Sequence, residues 1–153
     1  MTMSRLAVAL LLVVFGSGCG GSHDSAEPQN ALLTGVKVEA TSVTFEFKSK
    51  PQSVTSGYQP RSRIAESGSG APVPLKGTAF LVIHFFPAAS ADIQGEQVIP
   101  TYTGPKRLSG PGPVLETAKT SDFEADLAWA IGVARRMPFH VSQDGTTVTV
   151  RFG

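Results

Sequence analysis

Hydrophobic positions in this 153-residue chain fall into two textures. The first is an unbroken apolar run of ten residues, 6–15. From Ala31 onward, apolar residues come in short bursts divided by Gly, Pro and Ser, and several bursts alternate strictly with polar positions. Residues 35–40 make a first short strand candidate. In residues 41–48, Val43, Phe45 and Phe47 alternate with Thr44, Glu46 and Lys48, and a period of two marks a half-buried strand. Residues 57–65 carry Tyr58 and Ile64 around Arg61 and Arg63, and Pro60 confines this piece to an edge or a bulge. A Ser/Gly/Pro loop follows at 66–74.

Residues 78–86 (TAFLVIHFF) are apolar on both alternating faces, which suits a central strand covered on both sides. Residues 88–113 read as one long polar connection, a kind of segment that is usually functional or mobile. Residues 114–120 are a weaker strand candidate. In residues 126–133, Leu127, Trp129, Ile131 and Val133 share one face. Ala128, Ala130 and Gly132 share the other, where a neighbour must approach closely. Residues 138–142 and 146–152 flank Gln143-Asp144-Gly145, a strong hairpin signal, with Val148, Val150 and Phe152 facing inward. The expectation is an all-β domain: a small sandwich or open barrel of about seven to eight short antiparallel strands, without a long helix.

The N-terminal run changes the picture of where the chain acts. Ten apolar residues are too short to cross a hydrocarbon core of roughly 30 Å as a helix. With Arg5 before them and Gly16, Ser17 and Gly18 after, they read as the core of a secretory signal. The only cysteine, Cys19, follows at once. This arrangement resembles the bacterial lipoprotein lipobox, with Gly16 where that family usually has Leu. The resemblance implies cleavage before Cys19 and a diacylglycerol thioether on its sulfur. The exported protein would then be anchored to the outer face of the cell membrane, its partner there, since two acyl chains hold stably where one does not. Residues 20–30 (GGSHDSAEPQN) read as a flexible tether spanning roughly 17–20 Å. His23 and Asp24 in it are better read as solvated linker than as metal ligands. The expected division is signal 1–18, tether 19–30 and β domain 31–153.

Composition narrows the function. Without Arg5 the remaining 12 basic residues face 12 acidic ones. A neutral domain lacks the basic footprint of a nucleic-acid binder. One cysteine gives no disulfide framework, so packing must hold the core, and the nine Phe, eight of them after the signal, with Trp129 make that plausible.

Several local patterns then recur in a recognisable order. They are Val43-Thr44-Phe45-Glu46-Phe47, Gly57-Tyr58, Leu75-Lys76-Gly77 and Tyr102-Thr103-Gly104-Pro105. After these come Asp122-Phe123-Glu124, Trp129-Ala130-Ile131-Gly132-Val133 and Pro138-Phe139-His140-Val141. Together they resemble the AMIN-like domain of actinobacterial secreted proteins and lipoproteins. Members often end on V-V-V-D-V, whereas this chain ends on Thr147-Val148-Thr149-Val150-Arg151-Phe152 and lacks the acidic residue. The resemblance implies a small β-sandwich related to AMIN domains, which help localise wall amidases and secretin components and are linked to peptidoglycan binding. It implies no defined activity.

Catalytic constellations are not found in the residues. There is no G-x-S-x-G elbow, no H-E-x-x-H and no phosphate loop opening a helix. His84 lies inside an apolar strand and is expected to be hydrogen-bonded there, and His140 is expected at the surface. Asp122, Glu124 and Asp126 suggest a carboxylate pair for glycan cleavage, but a solvated acidic turn is the better reading. The chain is thus expected to be a non-enzyme needing no cofactor or metal. Recognition remains: Tyr58 and Tyr102 as docking rings, with Arg61, Arg63, Lys106 and Arg107 as bases for the carboxylates of a wall polymer. Arg135 and Arg136 extend that set, whereas Trp129 is expected in the core. Peptidoglycan or a wall-associated protein is the expected partner. The alternatives are a structural lipoprotein docking an envelope protein at a sheet edge, and a carrier of an apolar small molecule.

Overall fold

The computed structural model describes residues 29–153. The signal, Cys19 and all but the last two residues of the tether fall outside the described residues. The chain forms β1 (Ala31–Val38), β2 (Ser42–Phe47), β3 (Ser53–Gln59), a 3-10 turn at Arg61–Arg63 and β4 (Ala79–Phe86). Four strands of two to four residues follow: β5 (Ala88–Ala89), β6 (Ala91–Gln94), β7 (Gln97–Pro100) and β8 (Arg107–Ser109). The last four are β9 (Val114–Phe123), β10 (Asp126–Val133), β11 (Phe139–Asp144) and β12 (Thr147–Phe152).

These strands make two five-stranded sheets, ordered β11-β12-β2-β1-β5 and β3-β4-β10-β9-β8, with β6-β7 as a separate hairpin. Pairing is antiparallel except between β1 and β5. The result is a sandwich of two sheets, not a closed barrel. Eight strands have six residues or more, within the number that alternation predicts. The four extra strands come from residues 88–113, which corrects the reading of that segment as an unstructured connection. Two further corrections are local. Residues 57–65 are not one strand, because β3 stops at Gln59 and Pro60, with no N–H to donate, leads into the 3-10 turn. The final hairpin turns on Gly145-Thr146, since Asp144 still pairs with Thr147.

The inner core follows the alternation. Leu33, Val43, Phe45, Phe47, Val148, Val150 and Phe152 of the first sheet meet Leu81, Ile83, Phe85, Leu127, Trp129, Ile131 and Val133 of the second. The Phe45 ring lies 4.9 Å from Phe85 and 5.9 Å from Trp129. Each such side chain contributes about 1.5–3 kcal/mol on burial. The indole Nε1 of Trp129 is buried without a hydrogen-bond partner among the described residues.

A second, smaller core explains why β4 is apolar on both faces. Ile64, Val73 and Leu75, from the segment before β4, cover Phe80, Val82, Ala118 and Ala130 on the outer side of the second sheet. The expected close approach at Gly132 is real: a Cβ there would run into the Lys76 carbonyl.

The sandwich has two distinct ends. At one, β1 enters as the Ala31 N–H donates to the Pro87 carbonyl (2.9 Å), and the Ala88 N–H donates to Ala125 (2.8 Å). The β9–β10 turn at this end places Glu124 (φ 50°) and Ala125 (φ 63°) in the left-handed region. At the other end, β4 begins, β10 finishes, and residues 134–138 cross to the first sheet.

Candidate ligand-binding groove

The second end holds the site. Because Pro60 stops β3, the following turn folds Arg61 back over the Phe80 ring, with Cζ 4.4 Å from the centroid. Arg61 Nη2 donates to the carbonyls of Leu75 (3.2 Å) and Gly77 (3.0 Å). It is thereby fixed to a strap, residues 74–78, that lies across the end of β10. The Thr78 N–H donates to Val133 O (3.0 Å) and its hydroxyl to Ala134 O (2.7 Å). The strap can sit so low only because Gly132 and Gly77 lack side chains. Gly77 has φ +126°, and a Cβ on it would come within 2.7 Å of the Val133 carbonyl.

Across from Arg61, the Arg136 guanidinium lies 4.6 Å from the Tyr58 ring centroid. The Tyr58 hydroxyl donates to Met137 O (2.8 Å) and accepts from the Met137 N–H (3.2 Å), so the ring is locked at the sheet edge. Its face also meets Phe139 edge-on at 5.6 Å. Tyr58, Arg61, Phe80, Arg135 and Arg136 thus line a groove of about 650 Å³. Three arginines line it, and no carboxylate among the described residues does. Stacking of a guanidinium on an aromatic face is worth about 0.5–1 kcal/mol at exposed sites, enough to bias its direction. The planar N–H fork of Arg fits a carboxylate or phosphate in two-point fashion.

The other sequence-predicted bases lie elsewhere. Arg63 borders a hollow of about 320 Å³ with Gln59, His84 and Asp126. His84 Nδ1 sits 3.0 Å from Asp126 Oδ1, so this histidine is partnered as expected, and His140 is exposed. Arg107 lies beyond the strap, where it donates to the Pro74 carbonyl and to buried Glu116 (3.0 Å). Glu116 also accepts the Lys76 N–H (2.9 Å), so Arg107 serves to hold the strap. Lys106 lines a mixed-charge hollow with Glu66, Lys119 and Asp122.

Tyr102 is not the free ring expected of a loop. It is half-buried, edge-on to Trp129 at 5.7 Å, and its hydroxyl donates to Pro105 O (2.8 Å). Burial pushes its phenol pKa up.

The three carboxylates near the β9–β10 turn go separate ways. Asp126 pairs with His84, while Glu124 points to solvent from the turn. Asp122 accepts from the Ser90 N–H (3.1 Å), the Ser90 hydroxyl and Lys119 Nζ (2.7 Å). Burial pushes the Asp122 carboxyl up, but the bonds from Lys119 and Ser90 outweigh it and hold its pKa below the usual value. Among the described residues no group of three His, Cys, Asp or Glu is placed to hold a metal.

Phe80 was not visible as a site residue, because TAFLVIHFF reads as uniform core. Arg135 and Arg136 were legible only as two bases among several, since nothing local says that Arg136 meets Tyr58 or that both border one groove.

A family model of the AMIN-like domain matches residues 31–150, a span that includes the groove and nearly all of both sheets. Comparison with curated proteins and with solved structures found no match. With four-fifths of its length inside that span, the chain belongs to the AMIN-like domain family.

Proposed function

We propose that this chain is a non-catalytic cell-envelope module, exported and lipid-anchored at Cys19, that binds peptidoglycan through the Tyr58–Arg61–Arg135–Arg136 groove. The observation that carries the reading is a groove lined by three arginines, two of them stacked on the Phe80 and Tyr58 rings, with no carboxylate among its described lining residues. Stem-peptide carboxylates match the guanidinium forks, and sugar or peptide backbone matches the rings. Family membership supports an envelope setting, because AMIN-type domains are associated with the cell wall. The filled space between the sheets gives no support to the apolar-carrier alternative.

Retention of the mature chain on purified peptidoglycan tests the proposal. Arg135→Gln with Arg136→Gln should lower retention several-fold, whereas Lys106→Gln, in a separate hollow, should leave it unchanged. Equal loss in both variants, or no retention of the parent chain, would refute the groove as the wall site.

A second reading is a structural lipoprotein docking an envelope protein. It is favoured by β3 and β11, which stand at the open edges of their sheets and could accept an added strand. In-cell cross-linking to one protein partner, insensitive to wall digestion, would favour it over wall binding.

A further inference from the structure

The end opposite the arginine groove carries the exposed apolar side chains. Phe86 closes β4 and Phe123 closes β9; Phe123 pairs with Asp126, and Phe86 is level with it from the other side. The two rings are 51% and 59% exposed. Hairpin β6–β7 is rooted beside them, since the Ser90 N–H before it donates to Asp122 and the Thr101 hydroxyl after it donates to Leu33 O (2.8 Å). Across that hairpin Ile93 pairs with Val98, and these are 71% and 66% exposed. A two-stranded hairpin standing alone in water is marginal. Two exposed rings in one row at the end of a small domain, with an exposed apolar hairpin rooted beside them, mark an interaction surface.

Where the chain enters says what covers that surface. Ala31 is hydrogen-bonded to Pro87, the residue after Phe86. Cys19 precedes Ala31 by twelve residues, so even a fully extended connection reaches only about 40 Å. We infer that this end seats on the lipid bilayer, with Phe86, Phe123 and the Ile93–Val98 pair dipping into the boundary between headgroups and acyl chains. The inference rests on the proposal that Cys19 carries the lipid.

The charges at this end are mixed. Lys48 and Lys50 are exposed near the entry, and Glu124, Asp144 and Glu96 are exposed around them. The contact is therefore apolar and, unlike a polybasic patch, does not depend on anionic lipid. It also fixes an orientation: the arginine groove lies at the far ends of β4 and β10 and faces away from the membrane, toward the wall.

The test uses the full chain on phosphatidylcholine vesicles with and without brominated acyl chains. Phe123→Trp places a reporter at the proposed contact, and His140→Trp, exposed near the opposite end, is its control. The parent chain, with Trp129 alone, is the blank. Phe123→Trp should lose fluorescence to brominated lipid while His140→Trp keeps it, and the loss should persist at high salt. Mass spectrometry of the mature N-terminus reads the anchor separately. Acyl on Cys19 without quenching overturns the docking and leaves the anchor. Quenching without acyl keeps the docking and removes the anchor. A dimer in solution that Phe86→Ser with Phe123→Ser makes monomeric would overturn the inference too, by assigning this end to a second copy of the chain.

Discussion

At the scale of single residues, the strongest constraints come from side chains that are present or missing at three backbone positions. Ala125 takes φ 63° beside Glu124 at φ 50°, in a turn that glycine normally occupies. A left-handed conformation costs a residue with a Cβ roughly 1–2 kcal/mol, partly offset by the backbone entropy that glycine would lose. Ala125→Gly should therefore raise stability by about 0.5–1 kcal/mol, read as a higher urea midpoint at unchanged slope. Gly132 shows the reverse. Gly132→Ala puts a methyl group against the Lys76 carbonyl, and it should cost about 1–3 kcal/mol by overpacking. It should also lift the strap that fixes Arg61, so wall retention should fall with stability. Asp122 adds a pH dependence. Its folded pKa lies below its unfolded value, so its contribution is present above the unfolded value and lost as pH falls through the folded one. Asp122→Asn should lower the urea midpoint at neutral pH, and the gap to the parent should close in acid.

At the scale of elements, legibility tracked how local the determining contacts are. Strands β2 and β12 were readable because each alternates buried apolar with more exposed polar positions, and β10 because large apolar residues alternate with Ala and Gly along it. Even the closeness at Gly132 showed, since a small-residue face needs a near neighbour. The segment 88–113 hid four strands because they are short, and because β6 and β7 expose Ile93 and Val98 instead of burying them. The Gly95-Glu96 pair between them was a turn signal, with Gly95 at φ +63°, but the flanking residues lacked a buried face to announce it. The groove was the least legible feature. Tyr58, Phe80 and Arg136 come from three separate places in the chain, and only the pairing of β3 with β4 and of β4 with β10 brings them together. Since the hairpin donates no residue to either core, replacing residues 92–99 with a short Gly-Ser connector should move stability by less than about 0.5 kcal/mol, checked by thermal unfolding.

At the scale of the whole molecule, β4 and β10 act as a spacer between two unlike ends. The seven residue steps from Ala79 to Phe86 span about 23 Å, longer than the screening length of roughly 8 Å at physiological salt. The two ends should accordingly respond to salt independently. Raising ionic strength should weaken peptidoglycan retention through the guanidiniums while leaving vesicle association intact, which parallel sedimentation assays would read. Between the ends sits the only tryptophan, enclosed by both sheets with its N–H unpartnered among the described residues. Trp129 is thus an optical seal built into the chain. Its emission stays blue while the two layers remain closed and moves to the red once water enters, so the integrity of the sandwich can be followed in the purified protein without any added label.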